Sequence, residues 1–364
     1  MVGTIMEIIR QEIQKNGVLP FARFMELTLY CPDCGYYETK KDIGRFGDFY
    51  TSVSAGSLFG EMLARQFAEW LETEASGRKS VVRIVEAGAH DGQLAKDILT
   101  WLRSNRPGRF AQIEYTIIEP SARRRQWQIE TLVELKGKIS WHAQITDLKN
   151  RPPATDHRPF TVIFSNELLD AFPVRRFGWD AQNKKWFEWG VAADGDKFIW
   201  AKIQASDFRL QTSTLESVLP DGYTIETSPA AENWWRAAAG SLDRVKLLAI
   251  DYGFTADELF SPARTRGTLR AYFRHHATDD LLANPGEQDL TAHVNFSAIQ
   301  KAGEDAGLTT DFFGSQAKFL TEIVAKAARE NSLGAWSPKQ ARQFQTLTHP
   351  EHLGRAFRVL VQSR

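Results

Sequence analysis

The chain has 364 residues, 43% of them apolar, and its 45 basic side chains are balanced by 45 acidic ones. This length and apolar content suffice to bury a large core, which excludes a disordered or fibrous chain. A net charge of zero leaves no overall field to gather nucleic acid, and no window approaches the roughly 20 apolar residues needed to span a bilayer.

Thr4 and Glu7 have the spacing of a capping box ahead of a helix, with Gly17 placed to end it. The start has neither the basic leader nor the cleavage site of a signal peptide, so the expected location is cytoplasmic. Cys31-Pro32-Asp33-Cys34 holds both cysteines. A structural zinc would need distant further ligands and a redox pair a thioredoxin-like context, so no metal is expected and two small residues around a turn is the simplest account. A polar, glycine-rich stretch over 35–56 leads to apolar residues at 58, 59, 62, 63, 67, 70 and 71, which is helical spacing. Strands are then predicted over 81–86, 115–119, 139–142, 161–165 and 247–251, alternating with helices. Several are almost continuously apolar, which suits a parallel sheet covered on both faces. Antiparallel strands over 174–179, 186–192 and 197–203, with Asp194-Gly195 as a tight turn, interrupt the alternation. Trp179, Trp186, Trp189 and Trp200 cluster there and are expected in the core, with a protein-docking face as the alternative. Farther on, strands are predicted near 269–273 and 357–361, helices near 296–306 and 315–330, and a helix start at Ser337-Pro338.

The stretch VVRIVEAGAHDGQL (81–94) reads as a strand that breaks on Gly88 and Gly92 and reopens as a helix. In an open parallel sheet a ligand lies beyond the carboxyl ends of the strands, where such a turn lets backbone N–H groups approach it. A dinucleotide enzyme wants the full G-x-G-x-x-G and an acid about 20 residues later; here His90 stands between the two glycines. Glu86 ends the first strand and Glu119 the second. An acid in the second place can accept both hydroxyls of a ribose, and one in the first can receive an ammonium. A sulfonium nucleoside carries no pyrophosphate and asks for fewer glycines, so the pattern favours S-adenosylmethionine over NAD. A glycine turn that binds nothing is the alternative.

Six separated blocks then fall into one order: GRFGDFYTSVSAGSLFGE (44–61), EAGAHDGQL (86–94), SNELLDAFPVRRF (165–177), ETSP (226–229), IDYG (250–253) and GTLRAYFRHHATDDLLANPGEQDLTAHVNF (267–296). Together they resemble the S-adenosylmethionine-dependent methyltransferase family that includes the mitochondrial complex I assembly factor 7, a protein arginine methyltransferase. The resemblance implies an α/β fold: a class I methyltransferase, Rossmann-like, with a mostly parallel sheet, an N-terminal helical extension and an inserted antiparallel β subdomain. It divides the chain into a helical segment and cofactor lid (1–75), a methyltransferase core (76–172 and 240–364) and a substrate-side insertion (173–239). It also implies S-adenosyl-L-methionine as cofactor and an arginine of a protein partner, such as a respiratory complex subunit, as acceptor. Gly88 and Gly92 match the family's glycine loop, Glu86 its preceding acid and Glu119 the acid after the second strand. His90 departs from a family glycine.

The substrate end is sought after the fourth strand, at Asn166-Glu167-Leu168-Leu169-Asp170, with Asn166 on the cofactor side. Glu167 and Asp170 face one way if this segment opens a helix, and paired carboxylates hold a guanidinium bidentately. Acids after a strand also serve as helix caps, the competing reading. His293 is the third catalytic candidate, weighed against a hydrogen-bonded structural histidine; His275 and His276 rank below it. The stretch Gly47 to Thr51 is expected to fold over the cofactor, with Asp48 and Thr51 hydrogen-bonding it and Phe49 excluding water; an ordinary connection is the alternative. A small-molecule O- or N-methyltransferase and a non-catalytic assembly factor with a decayed loop stay open as other readings, and the sequence does not decide between monomer and homodimer.

Overall fold

The structure is a computed structural model that describes residues 3–40, 51–74, 82–150, 159–205, 208, 218–274 and 276–364. The chain forms two compact units. The larger comprises Gly44–Leu168, Asn233–Gly253 and Ile299–Arg364; the smaller comprises Met1–Ile43, Leu169–Glu232 and Phe254–Ala298.

The larger unit is built on seven strands: β1 (Val82–Ala87), β2 (Ile113–Ile118), β3 (Ile139–His142), β4 (Thr161–Asn166), β5 (Val245–Phe254), β6 (Thr309–Ser315) and β7 (Phe357–Ser363). Their order is β3-β2-β1-β4-β5-β7-β6. The first five run parallel, and β7 runs antiparallel to both β5 and β6. Every residue of β1 and β4 is buried, as the unbroken apolar runs predict for strands covered on both faces. The helices Leu58–Glu74, Gln93–Asn105 and Gln316–Arg329 contribute Phe67, Leu99 and Leu320 to a core shared with Ile84, Phe164, Leu248 and Phe357. The Phe67 and Phe164 rings lie 5.0 Å apart; burying each such side chain contributes roughly 1.5–3 kcal/mol. From β1 the sheet grows towards β2 and β3, and from β4 towards β5, so strand order reverses between β1 and β4. In such sheets the ligand crevice opens at that reversal, beyond the carboxyl ends.

In the smaller unit the predicted capping box is present: Thr4 N–H donates to Glu7 at 2.7 Å and Glu7 N–H to Thr4 Oγ1 at 3.3 Å. The helix they start, Ile5–Asn16, ends at Gly17. A second helix, Phe21–Tyr30, absent from the sequence reading, buries Phe21, Phe24, Met25, Leu27 and Leu29 and leaves Arg23 and Glu26 exposed. An antiparallel sheet joins Leu19–Pro20, Lys185–Asp194, Arg175–Asp180 and Thr224–Thr227, with Lys197–Gln204 paired to Lys185–Asp194. A second sheet centres on Arg270–Phe273, between His276–Thr278 and Asp289–Thr291. Trp179 and Trp186 are buried with Phe177 and Tyr223, and Trp200 packs on Phe21.

One local expectation is corrected. The segment after β4 does not open an α-helix: Glu167 has φ +52°, a left-handed conformation that cannot begin a right-handed helix, and only the short 3-10 turn Leu169–Ala171 follows. Among the described residues no helix is long and apolar enough to cross a membrane.

Candidate active site

The loop after β1 turns through three left-handed residues, Gly88 (φ +79°), His90 (φ +46°) and Gly92 (φ +87°). A Cβ on Gly88 would lie 3.1 Å from the Leu168 side chain, and one on Gly92 3.0 Å from Leu132. Both glycines are thus required twice, by backbone conformation and by fit to the protein itself. At His90 a glycine would adopt the same φ without strain; a side chain there costs about 1–2 kcal/mol. Gln128 Nε2 donates to the His90 carbonyl at 3.0 Å and holds the strained residue in place. The helix Gln93–Asn105 begins at once, with Gln93 N–H donating to Asp91 Oδ1 at 3.0 Å.

Glu86 is fully enclosed, and the Tyr115 hydroxyl donates to its Oε2 at 2.6 Å. Burial pushes its pKa up to about 8, against the pull of the Tyr115 hydrogen bond, so near neutral pH it holds a proton that a cationic ligand would displace. Glu119, also buried, follows β2, and its N–H donates to the His142 carbonyl at 2.9 Å. Its Oε1 accepts from Ser121 N–H and Arg124 Nε, both at 2.9 Å, and its Oε2 from Gln128 Nε2 at 3.2 Å. A carboxylate offers about four lone-pair sites, so Oε2 retains capacity for a further donor.

At the end of β4, Ser165 stands beside Ala87 of β1 in the ladder. Ser165 Oγ, Asn166 Oδ1 and His90 Nε2 are buried and have no hydrogen-bond partner among the described residues. An orphaned buried polar group costs about 1–3 kcal/mol, and three of them near one crevice fit a ligand rich in donors and acceptors. Next in the chain, Glu167 N–H donates to the Ile250 carbonyl at 2.9 Å, and Glu167 Oε1 accepts from Ser52 N–H at 3.2 Å and Asn166 Nδ2 at 3.0 Å. Asp251 of the IDYG block accepts from Leu168 N–H at 3.1 Å and from Tyr252 N–H at 2.8 Å, so it fixes the turn that carries Glu167. Thr51 spends its hydrogen bonds on its own turn, exchanging them with Ser54 at 2.9 and 3.0 Å. Asp48 and Phe49 lie outside the described residues.

The unit boundary falls between Leu168 and Leu169, so Asp170 and His293 belong to the smaller unit. Asp170 is buried, and its carbonyl accepts from Ala292 N–H at 3.0 Å. Asp289, on the next strand over, accepts from the Tyr37 hydroxyl at 2.8 Å; burial foremost, then Asp289, raises the Tyr37 pKa. His293 stacks on Phe254 with ring centroids 4.7 Å apart, and its N–H donates to Thr268 Oγ1 at 3.2 Å. Burial, with Arg264 and Arg270 nearby, lowers its pKa to about 4, which leaves a neutral imidazole at pH 7. Glu226 of the ETSP block accepts from Thr268 N–H at 2.7 Å and faces Arg176 at 3.7 Å. His275 lies outside the described residues, and His276 is an exposed strand residue. Cys31 and Cys34 are free thiols with sulfurs 3.0 Å apart; burial foremost, then Cys31, pushes Cys34 up to about 12.

Tyr115, Gln128, Arg124, Ser165, Ser52 and Asp251 escaped the sequence reading. The one usable signal among them was the acid in IDYG, at the carboxyl end of a parallel strand.

Residues 62–314 match the model of a family described as S-adenosyl-L-methionine-dependent methyltransferase. The chain belongs to that family. It is similar to a Drosophila melanogaster protein named protein arginine methyltransferase NDUFAF7 homolog, mitochondrial, at 27% identity over 98% of this chain and 84% of that one. The Homo sapiens protein arginine methyltransferase NDUFAF7, mitochondrial, is likewise 27% identical over 83% of this chain and 69% of its own length. A crystal structure of a COG1565 superfamily member from Burkholderia thailandensis, bound to S-adenosyl-homocysteine, has 33% identity and a TM-score of 0.81, covering 99% of this chain and 92% of that one. This methyltransferase therefore has the Rossmann-like methyltransferase fold and uses S-adenosyl-L-methionine, as the strand order and the resemblance implied. The reading as a non-catalytic factor with a decayed loop is set aside. The cytoplasmic expectation is overturned, because the relatives are named as mitochondrial proteins. Residues 4–17, from which it was drawn, build a capped helix of the fold, a role that does not report a compartment.

Proposed function

We propose that this methyltransferase modifies an arginine side chain of a protein partner. The observation that carries the reading is the Glu167 carboxylate, held directly after Asn166 at the end of β4 by the Ser52 N–H and by a left-handed backbone. A non-glycine residue in that conformation is strained, and such strain clusters where a side chain must be aimed. The names of the relatives, protein arginine methyltransferases, support the same acceptor.

When bound, S-adenosyl-L-methionine supplies a methyl group on a sulfonium, activated for in-line attack. Glu86 takes the ammonium of that ligand, Glu119 its ribose hydroxyls, and the backbone of Gly88, His90 and Gly92 the surface between. Ser165 and Asn166 offer it the unused polar atoms at β4. Glu167 offers its carboxylate to the guanidinium, which concentrates electron density on the nitrogen that attacks. With the cofactor bound, methyl transfer to the nitrogen would leave the electron pair of the broken carbon–sulfur bond on sulfur, and the nitrogen would release its proton to solvent.

The test is incubation of the protein with a cell lysate and methyl-labelled S-adenosyl-L-methionine, followed by residue-level identification of the label. Methylarginine in a protein is expected. Glu167→Gln should lower kcat by about a hundredfold, the scale of a lost transition-state contact, with S-adenosyl-homocysteine affinity unchanged. Label confined to small molecules, or a Glu167→Gln enzyme of full activity, overturns the reading.

A further inference from the structure

The helix Ala122–Thr131 is mostly polar, yet its buried residues are Arg124 and Gln128, one turn apart on the same face. Arg124 supplies charge to Glu119 through Nε at 2.9 Å and Nη2 at 2.8 Å. Gln128, with no exposed surface, does something different. The Trp141 indole N–H donates to Gln128 Oε1 at 2.9 Å, and an indole only donates, so the orientation of the amide is fixed by chemistry. Its NH2 must then face the other way. There its two hydrogens meet two acceptors from separate elements, the His90 carbonyl at 3.0 Å and Glu119 Oε2 at 3.2 Å. One locked amide thus ties the strained residue of the glycine loop to the acid that follows β2, and its donors are saturated in doing so.

We propose that Gln128 is a positioning residue for the cofactor ribose, aiming Glu119 Oε2 and the glycine loop at the sugar hydroxyls as one rigid edge. This rests on the reading that Glu119 receives those hydroxyls. A carboxylate held only at Oε1, by Arg124 and the Ser121 N–H, can swing about its terminal torsion, which is broad for a sp³–sp² bond; the Gln128 contact on the second oxygen stops it. His90 also depends on the amide, since its carbonyl is held there in a conformation that a β-carbon disfavours.

Calorimetry on the full-length protein with S-adenosyl-homocysteine and its 2′-deoxy analogue tests this. The native protein should prefer the parent ligand by roughly tenfold, the range for a hydrogen bond to a charged acceptor. Gln128→Leu should collapse that preference to about twofold, and Trp141→Phe, which unlocks the amide but keeps it, to an intermediate value of about threefold. Equal weakening of both ligands in Gln128→Leu would mean that the residue only supports the fold, and overturns the proposal. Should Gln128→Leu fail to fold, Trp141→Phe decides alone: an undiminished preference overturns it. Glu119→Gln separates the two layers. If it preserves the native preference, the ribose reading itself fails; if it abolishes the preference while Gln128→Leu and Trp141→Phe do not, only the role of Gln128 falls.

Discussion

In the larger unit Glu86 is buried against a neutral phenol, and Ser165, Asn166 and His90 keep polar atoms unused among the described residues. In the smaller unit the comparably buried Glu226 accepts from Thr268 and faces the Arg176 guanidinium. Both acids are raised by burial, but only the second meets a cation of the protein's own. The first carboxyl meets only a neutral phenol and the second a guanidinium of the protein itself, so equal burial of two carboxylates does not give them equal roles.

The contrast is sharpest in pH. Glu86 has a folded pKa near 8, above its unfolded value of 4.5, so its stabilising contribution is full below pH 4.5 and is lost as pH rises through 8. Unfolding free energy should fall over that window by as much as about 5 kcal/mol, and Glu86→Gln should flatten the profile in denaturant titrations. In the same variant, binding of S-adenosyl-homocysteine at pH 7 should no longer release a proton, measured by calorimetry in buffers of different ionisation enthalpy. Proton release equal to that of the native protein would break the comparison. Second in size, Arg176→Met strands Glu226 and should cost about 3 kcal/mol by chemical denaturation, without changing affinity for S-adenosyl-homocysteine. His293 gives the opposite pH sign: its folded pKa near 4 lies below 6.5, so stability is lost as pH falls from 6.5 towards 4. His293→Phe should recover about 2 kcal/mol at pH 4.5. The smallest effect belongs to Thr51→Val, which removes the reciprocal bond with Ser54 and should lower the melting stability by about 1 kcal/mol.

Legibility in the sequence followed the same division. Strands β1, β2, β4 and β5 were readable because near-complete burial writes largely apolar runs, and the glycine loop, Glu86 and Glu119 were readable because strand ends locate them. By contrast β6, TTDFFGS, has no fully buried residue and gave no strand signal. Tyr115 and Asp251 were hidden for a different reason: their hydrogen-bond partners lie 29 and 83 residues away, and pairing at such separations is set by the sheet, not by local pattern. The helix expected after Asn166 failed at one backbone angle, that of Glu167, which no residue-type preference announces.

The placing of β7 between β5 and β6 has a consequence for synthesis on the ribosome. Until residues 357–363 emerge, β5 presents an unpaired apolar edge and β6 has no neighbour to join. The nascent chain must therefore carry a sticky, unfinished sheet past residue 350 before it can close. Translation stalled just short of that strand should leave a product that aggregates, whereas the released 364-residue chain should fold.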